Sequence, residues 1–505
     1  MKTTIRCDAM TGLASAQTEV IIWPIRKEQL KSGSIHPDLD ALLQATAAQG
    51  LFEAKPNQIY SMPVGGAFQL KTVMLVGLGS RELQPDVMRR AVQAAGRAVI
   101  KLKSASVAWI VPAVHEAIVT DRPSYTCARA LTEGFLNGAY RMKKYHRDQP
   151  KYQGVSELIY LRESAGLEDA TEDWMDGVRT GQIVAEATNM ARDLTNVPGN
   201  ILVPKLLAEE AVTIANAHQL EVDILDEQQI ADLEMGGLLA VGQGSANPPR
   251  MIVLKYHGAD DAEDVFGLVG KGITFDTGGI SLKKASGMEE MISDMGGSAV
   301  VLGVMQAIAQ LRPRINVIAV IPSAENMPSS SAFKPGDIVK TLSGRTIEIL
   351  NTDAEGRVVL ADGITYAKQL GATKLIDVAT LTGAVLVALG DVATGAVTND
   401  ETFLQEFIAA SRRTGEKVWQ LPAYDEFWDM LKSDVADLRN STGSHGATIT
   451  AGLFIGTFAE GLPWIHLDTG GTAFLMRDRG IDSKGATGEM VRTITELFMS
   501  QEDQS

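Results

Sequence analysis

Seven charged side chains in the 505-residue sequence stand at the ends of apolar runs, where burial makes charge expensive. Lys271 follows VFGLVG, Asp276 lies beside Thr277-Gly278-Gly279, and Lys283 closes the same glycine-rich stretch. Asp294 sits in SDMGGSA. Asp353, Glu355 and Arg357 alternate within NTDAEGR, between the apolar runs TIEIL and VVLA. Buried carboxylates must be paired or bound to a cation. Four carboxylates with no histidine among them make an oxygen-rich set, suited to Mg²⁺, Mn²⁺ or a pair of Zn²⁺ ions. HExxH is absent, which excludes a histidine-based zinc protease at the level of motif. Two cations bridged by carboxylates are the usual arrangement for metal-assisted hydrolysis.

Each residue alone also has an ordinary use. An Asp beside Gly caps a helix or a turn, and a Lys near an Asp is commonly a surface pair of small energetic weight. GKG is not a phosphate loop, because Gly272 rather than Ser or Thr follows Lys271. The residues by themselves support a two-metal hydrolase. A two-metal phosphoesterase could use the same carboxylates, though no basic cluster beyond Lys283 and Arg357 is visible for a phosphate. A binding protein without turnover is the third class.

These residues need strand ends to hold them. EVIIWPI, TVMLVGLG and SVAWIVPA predict buried strands around a helix over DVMRRAVQAAGRAVIKL, an α/β domain. GLGS after its strand lacks the third glycine of a dinucleotide loop and predicts a tight strand-to-helix turn. A polar linker is expected at RESAGLEDATED, then a long helix ending before NVPGN. Beyond Pro204, MIVLKYHG, VFGLVGKG, NVIAVIPSAEN, TIEILNTDAEGR, KLIDVATLTGA and PWIHLDTGG predict strands running into polar loops, with a helix over MISDMGGSAVVLGVMQAIAQL. The expectation is two α/β domains: a smaller N-terminal domain over 1–168, a linker helix over 169–194, and a larger domain over 195–505 with a mixed central sheet flanked by helices. Polar residues at strand ends are where such sheets place sites.

The net charge of −16 disfavours nucleic acid and anionic membranes as main partners. Cys7 and Cys127 fit no zinc spacing and suit a reducing compartment. No apolar core follows MKTTIRCDAM, and the apolar run VATLTGAVLVALG is too short to span a bilayer. A soluble cytoplasmic protein is expected.

NTDAEGR resembles the signature of the leucyl (cytosol) aminopeptidase family of two-metal peptidases. KGITFDTGGISLK, MISDMGGSA, ENMPSSSAFKPGDI, VLADGITYA, ATLTGA, GATITAGLFIG and WIHLDTGGTA resemble further family blocks, in family order. The resemblance covers most of residues 190–490 and implies these roles. Lys271, as a neutral amine, would bind the tighter metal with Asp276, Asp294 and Glu355. Asp276, Asp353, through a carbonyl as well, and Glu355 would bind the exchangeable one. Lys283 would polarise the scissile carbonyl, and Arg357 would hold a bicarbonate that relays protons. Met291, Thr380, Gly383 and Ala473 would line the pocket for a leucine-like first side chain, and the Leu381 amide would face substrate or bicarbonate. The implied protein is a peptide-trimming aminopeptidase with two Mn²⁺ or Zn²⁺ ions, Mg²⁺ being a third candidate, assembled as a homohexamer. Departures are mild: Thr277 stands where the family often has Ser, and His445 enters a family loop, where an exposed or packed role is expected.

Overall fold

A computed structural model describes residues 3–9, 17–32, 37–64, 70–80, 84–111, 120–148, 151–162, 171–260 and 264–501. The chain divides into two compact units, Met1–Glu186 with Asp478–Asp482, and Ala187–Arg477 with Ser483–Ser505. The expected linker falls largely on residues 163–170, outside the described residues. The long helix spans Thr171–Thr195.

The first unit carries one sheet of six strands, β1 (Thr4–Ala9), β2 (Val20–Arg26), β3 (Ile59–Pro63), β4 (Thr72–Gly79), β5 (Ser106–Ile110) and β6 (Glu157–Arg162), in the order β1-β6-β5-β2-β4-β3. All neighbours are parallel except β3 with β4. Parallel strands are covered on both faces, and so VIIWPI and TVMLVG read as continuous apolar runs rather than alternating ones. The Pro85–Leu102 helix begins on proline with Asp86 in its first turn, a favourable start on backbone and dipole grounds. Gly77 and Gly79 of GLGS lie inside β4 and not in a turn. A side chain at 77 would meet the Lys55 carbonyl at 2.1 Å, so close backbone approach explains that glycine.

The second unit holds a mixed sheet built from β7 (Glu221–Leu225), β8 (Arg250–His257), β9 (Val265–Gly270), β10 (Gly272–Asp276), β11 (Asn316–Asn326), and then β14 (Lys374–Ala379), β15 (Thr394–Thr398), β16 (Val418–Gln420) and β18 (Trp464–Asp468). Its order is β16-β15-β18-β14-β9-β11-β8-β7, with β10 continuing beyond β9 along β11. β9, β10, β11, β14 and β18 run parallel, which brings their carboxyl ends to one edge. A separate small sheet joins β12 (Ile338–Lys340), β13 (Thr346–Glu348) and β17 (Leu438–Arg439). The strand expected over TIEIL therefore ends at Glu348, and Asn351–Glu355 form a loop that enters a helix at Gly356.

Helices flank the large sheet. The Gly356–Gln369 helix buries Val358, Leu360 and Ile364 in one core with Val269, Ile318 and Val320. The expected helix over MISDMGGSA and beyond is two elements, a 3₁₀ segment Met288–Met295 and an α-helix Gly296–Leu311. Paired glycines at the junction let that helix press onto the sheet: a Cβ at Gly297 would sit 2.0 Å from the Val378 carbonyl. The run Met288–Leu311 is long and apolar enough to cross a membrane, but it is mostly buried inside the fold.

Asp362 on the Gly356–Gln369 helix is fully buried and accepts the Leu238 and Leu342 amides at 2.9 and 2.8 Å. Burial outweighs those bonds and raises its pKa to about 7. A carboxyl raised in the fold is protonated there while the unfolded chain is already ionised. Its contribution is therefore present below the unfolded pKa and is lost as pH rises towards 7. Asp362→Asn should start less stable, because one amide then faces Nδ2, yet lose a few kcal/mol less than the parent between pH 4.5 and 7.5. Denaturant melts across that range check it, and equal slopes for the two proteins would contradict it.

Candidate metal centre

Lys271 interrupts the run from β9 into β10. Its amide bonds the Val378 carbonyl at 3.0 Å and its carbonyl accepts the Ser298 amide at 2.9 Å, so strand and helix both fix its backbone. Nζ reaches Asp294 at 2.7 Å, Glu355 Oε1 at 2.9 Å and the Thr380 carbonyl at 3.1 Å. Gly356 makes room for it, since a Cβ there would stand 2.6 Å from Lys271 Cε. Thus the glycine opening the helix is required by a side chain 85 positions earlier in the sequence.

Asp276 ends β10. Its Oδ1 accepts the Gly278 amide and Asn326 Nδ2, both at 2.8 Å, and its Oδ2 lies 2.8 Å from Lys283 Nζ. Lys283 also meets Asp353 Oδ1 at 2.5 Å. Asp294 Oδ1 accepts the Thr380 hydroxyl at 2.8 Å. Asp276, Asp353 and Glu355 each direct one oxygen into a group spanning no more than 4.8 Å.

The electrostatics are crowded. Asp276, Asp294 and Glu355 are 2%, 6% and 1% exposed. Burial pushes the Asp276 carboxyl up, and Glu355 adds to it; burial also pushes up Asp294, strongly, and Asp353. Burial opposes charge on Lys271 and Lys283, but the surrounding carboxylates outweigh it and hold both pKa values above the ordinary lysine range. Two ammonium groups face four carboxylates, so negative charge is in excess. Oε2 of Glu355 is buried without a hydrogen-bond donor, and among the described residues Glu355 Oε1 and Asp294 Oδ2 meet only the Lys271 ammonium, as ion pairs. Buried carboxylate oxygens that outnumber their donors, converging in one set, fit a hard divalent cation.

Arg357 is buried, and burial lowers its pKa to about 10 against the pull of Glu355 and Asp468. Its Nη1 donates to the Asn440 carbonyl at 2.8 Å, while Nε is buried without an acceptor. Among the described residues it forms no ion pair. Leu381 donates its amide to Asp468 Oδ1 at 3.2 Å, so that N–H is already engaged. Thr380 and Ala473 converge on Gly296, within 3.4 and 3.5 Å of where its Cβ would stand. Met291 lies half-buried on the 3₁₀ segment, three residues before Asp294. Gly383 opens its helix towards solvent, with nothing within 4 Å of a Cβ. His445 is exposed in the loop before the Ala447–Gly456 helix.

Three polar residues were not singled out in the sequence. Asn326, at the end of β11, joins Asp276 to the Thr352 carbonyl at 2.9 Å. Asp468, at the end of β18, accepts the Leu381 and Thr382 amides and the Thr382 hydroxyl, and so holds the loop after β14. Asn440 follows β17 and bonds the NTDAEGR loop. Their only sequence cue was position at a strand end.

Residues 189–495 match the catalytic domain of the cytosol aminopeptidase family, and residues 20–149 match its N-terminal domain. The chain belongs to the cytosol aminopeptidase family. It is a metal-dependent aminopeptidase, a hydrolase acting on peptides. Among its relatives is a probable cytosol aminopeptidase of Alkaliphilus oremlandii, 44% identical over 480 residues, covering 94% of each chain. Another, from Bacillus subtilis, is 44% identical over 500 residues, covering 97% of this chain and 98% of the relative. A mutant of tomato leucine aminopeptidase superposes with TM-score 0.87 at 32% identity, covering 99% of this chain and 97% of that one. The bottromycin maturation enzyme BotP in complex with Mn superposes with TM-score 0.83 at 34% identity, covering 96% and 100%.

Proposed function

We propose that the chain releases leucine-like residues from peptide amino termini at a centre for two divalent ions. Lys271, Asp276, Asp294 and Glu355 would hold one ion, and Asp276, Asp353 and Glu355 the other. The observation that carries this reading is the convergence of Asp276, Asp353 and Glu355 oxygens within 4.8 Å, with Glu355 buried and its Oε2 without a donor. A bound pair of divalent ions supplies Lewis acidity towards a peptide carbonyl and towards water. Manganese is the first ion to test, since BotP is described in complex with it.

The chain's own groups do the rest. Lys283 is a quarter exposed and reaches both Asp276 and Asp353, so its ammonium stands beside the reacting centre. A charged donor there stabilises the oxygen of a carbonyl as negative charge develops. Lys271 must lose a proton to become a ligand, which nearby divalent charge favours over the ammonium that Asp294 and Glu355 stabilise. Arg357, unpaired with any carboxylate and with Nε unspent, keeps a fork of donors suited to a planar anion such as bicarbonate. Such an anion would accept and return a proton at the site. Thr380 and Ala473 beside Gly296, with Met291, would form an apolar pocket for the first side chain.

The relatives' shared name agrees with a cytoplasmic location. We read the assembly as a homohexamer; Val387, Trp419 and Val435, at 88%, 64% and 68% exposure, offer it apolar surface. Light scattering should give about six times the 54.1 kDa chain mass, and a single-chain mass would overturn that assembly. For the reaction, hydrolysis of leucine p-nitroanilide with Mn²⁺ should fall at least about 1,000-fold in Lys283→Ala and in Glu355→Ala, on the scale of losing a transition-state charge contact. Circular dichroism should show the fold kept. Full activity in Glu355→Ala, or turnover only of a phosphate ester, would sink the reading.

A further inference from the structure

Asn440 lies outside every motif that carries chemistry, yet it is fully buried against the loop that carries Asp353 and Glu355. Its Oδ1 accepts the Leu350 and Asn351 amides at 2.8 and 3.3 Å. Its Nδ2 donates to the Asn351 and Ala354 carbonyls at 2.7 and 3.3 Å. A primary amide has two acceptor sites and two N–H bonds, and all four are used. Its backbone takes part as well. The amide bonds the Glu348 carbonyl at 3.0 Å, and the carbonyl accepts Arg357 Nη1 at 2.8 Å.

We propose that Asn440 is the positioning residue of the centre: it sets the loop that aims Asp353 and Glu355 and, through its carbonyl, the tilt of Arg357. The chemistry of the contacts explains the residue type. Two amides and two carbonyls of one loop must be satisfied away from water, so the side chain must accept twice and donate twice. Aspartate can only accept, and leucine can do neither. The residue on either side of this loop that holds it from another part of the chain is therefore not interchangeable. β17 pairs in parallel with β13, so Asn440 arrives in register with the loop that leaves β13. The small sheet acts as a jig for the metal-binding loop.

The inference rests on reading Asp353 and Glu355 as ligands, and the test separates the two. In Asn440→Asp the Asn351 and Ala354 carbonyls face a carboxylate in place of donors. Groups that orient metal ligands commonly change metal affinity or activity by about 10–100-fold. Equilibrium dialysis should show Mn²⁺ affinity weakened by about that factor, and kcat should fall by more than KM changes. Wild-type Mn²⁺ affinity and kcat in a folded Asn440→Asp protein, with only its melting temperature lowered, would overturn the proposal. Glu355→Ala run alongside should lose Mn²⁺; if it keeps the ion, the ligand reading fails. If Glu355→Ala loses the ion while Asn440→Asp keeps it at full affinity, only the positioning role fails. Hydrogen exchange on the wild-type protein needs no variant. The Leu350 and Asn351 amides should exchange slowly, and rapid exchange in the folded protein would overturn the clamp.

Discussion

The structure turns on one electrostatic imbalance. Asp276, Asp294 and Glu355 are buried together, Asp353 stands at their edge, and among the described residues Lys271 and Lys283 form the ion pairs that offset the charge. Bringing carboxylates out of water and next to one another disfavours ionisation of each, as the raised Asp276, Asp294 and Asp353 values express. A fold that keeps such a cluster must hold it rigidly, because the charges would otherwise separate. The same imbalance suits the cluster to divalent cations, in keeping with the family's dependence on divalent metal.

Rigidity comes from convergence of strand ends. β9, β10, β11, β14 and β18 deliver Lys271, Asp276, Asn326, the Thr380 loop and Asp468 to one edge. Asp294 arrives on a 3₁₀ segment and Asp353 and Glu355 on a loop, so the backbone there needs outside partners. Asn326 and Asn440 provide them for the Asp353 loop, and Asp468 does the same for the loop after β14, each saturating main-chain groups that would otherwise be buried unpaired. Gly356 and Gly297 show how tightly the parts are fitted, since a methyl group at either would collide with Lys271 or with the Val378 carbonyl.

Much of this was legible in the sequence because charge at the end of an apolar run is conspicuous. The two α/β units, the larger with a mixed sheet, and the chemistry class followed from that contrast. The parts that were not legible depend on distance along the chain. Asn440 is one polar residue in a polar loop, and its bond from Arg357 spans 83 positions. The glycines of GLGS read as a turn because local pattern cannot show that the Lys55 carbonyl presses on Gly77. Met288–Met295 reads as α-helix because Met288, Met291 and Met295 follow the three- and four-residue spacing of one α-helical face, which a short 3₁₀ segment can also carry. Local signals identified groups that carry charge, and the fold alone showed which neutral groups hold them.

We propose these carboxylates as a centre for two divalent ions. Purified protein saturated with Mn²⁺ and freed of excess ion by gel filtration should retain two ions per chain, measured by inductively coupled plasma mass spectrometry. Asp294→Ala should retain one, because Asp276, Asp353 and Glu355 still converge. Fewer than one ion in the parent protein, or an unchanged two in Asp294→Ala, would contradict the account.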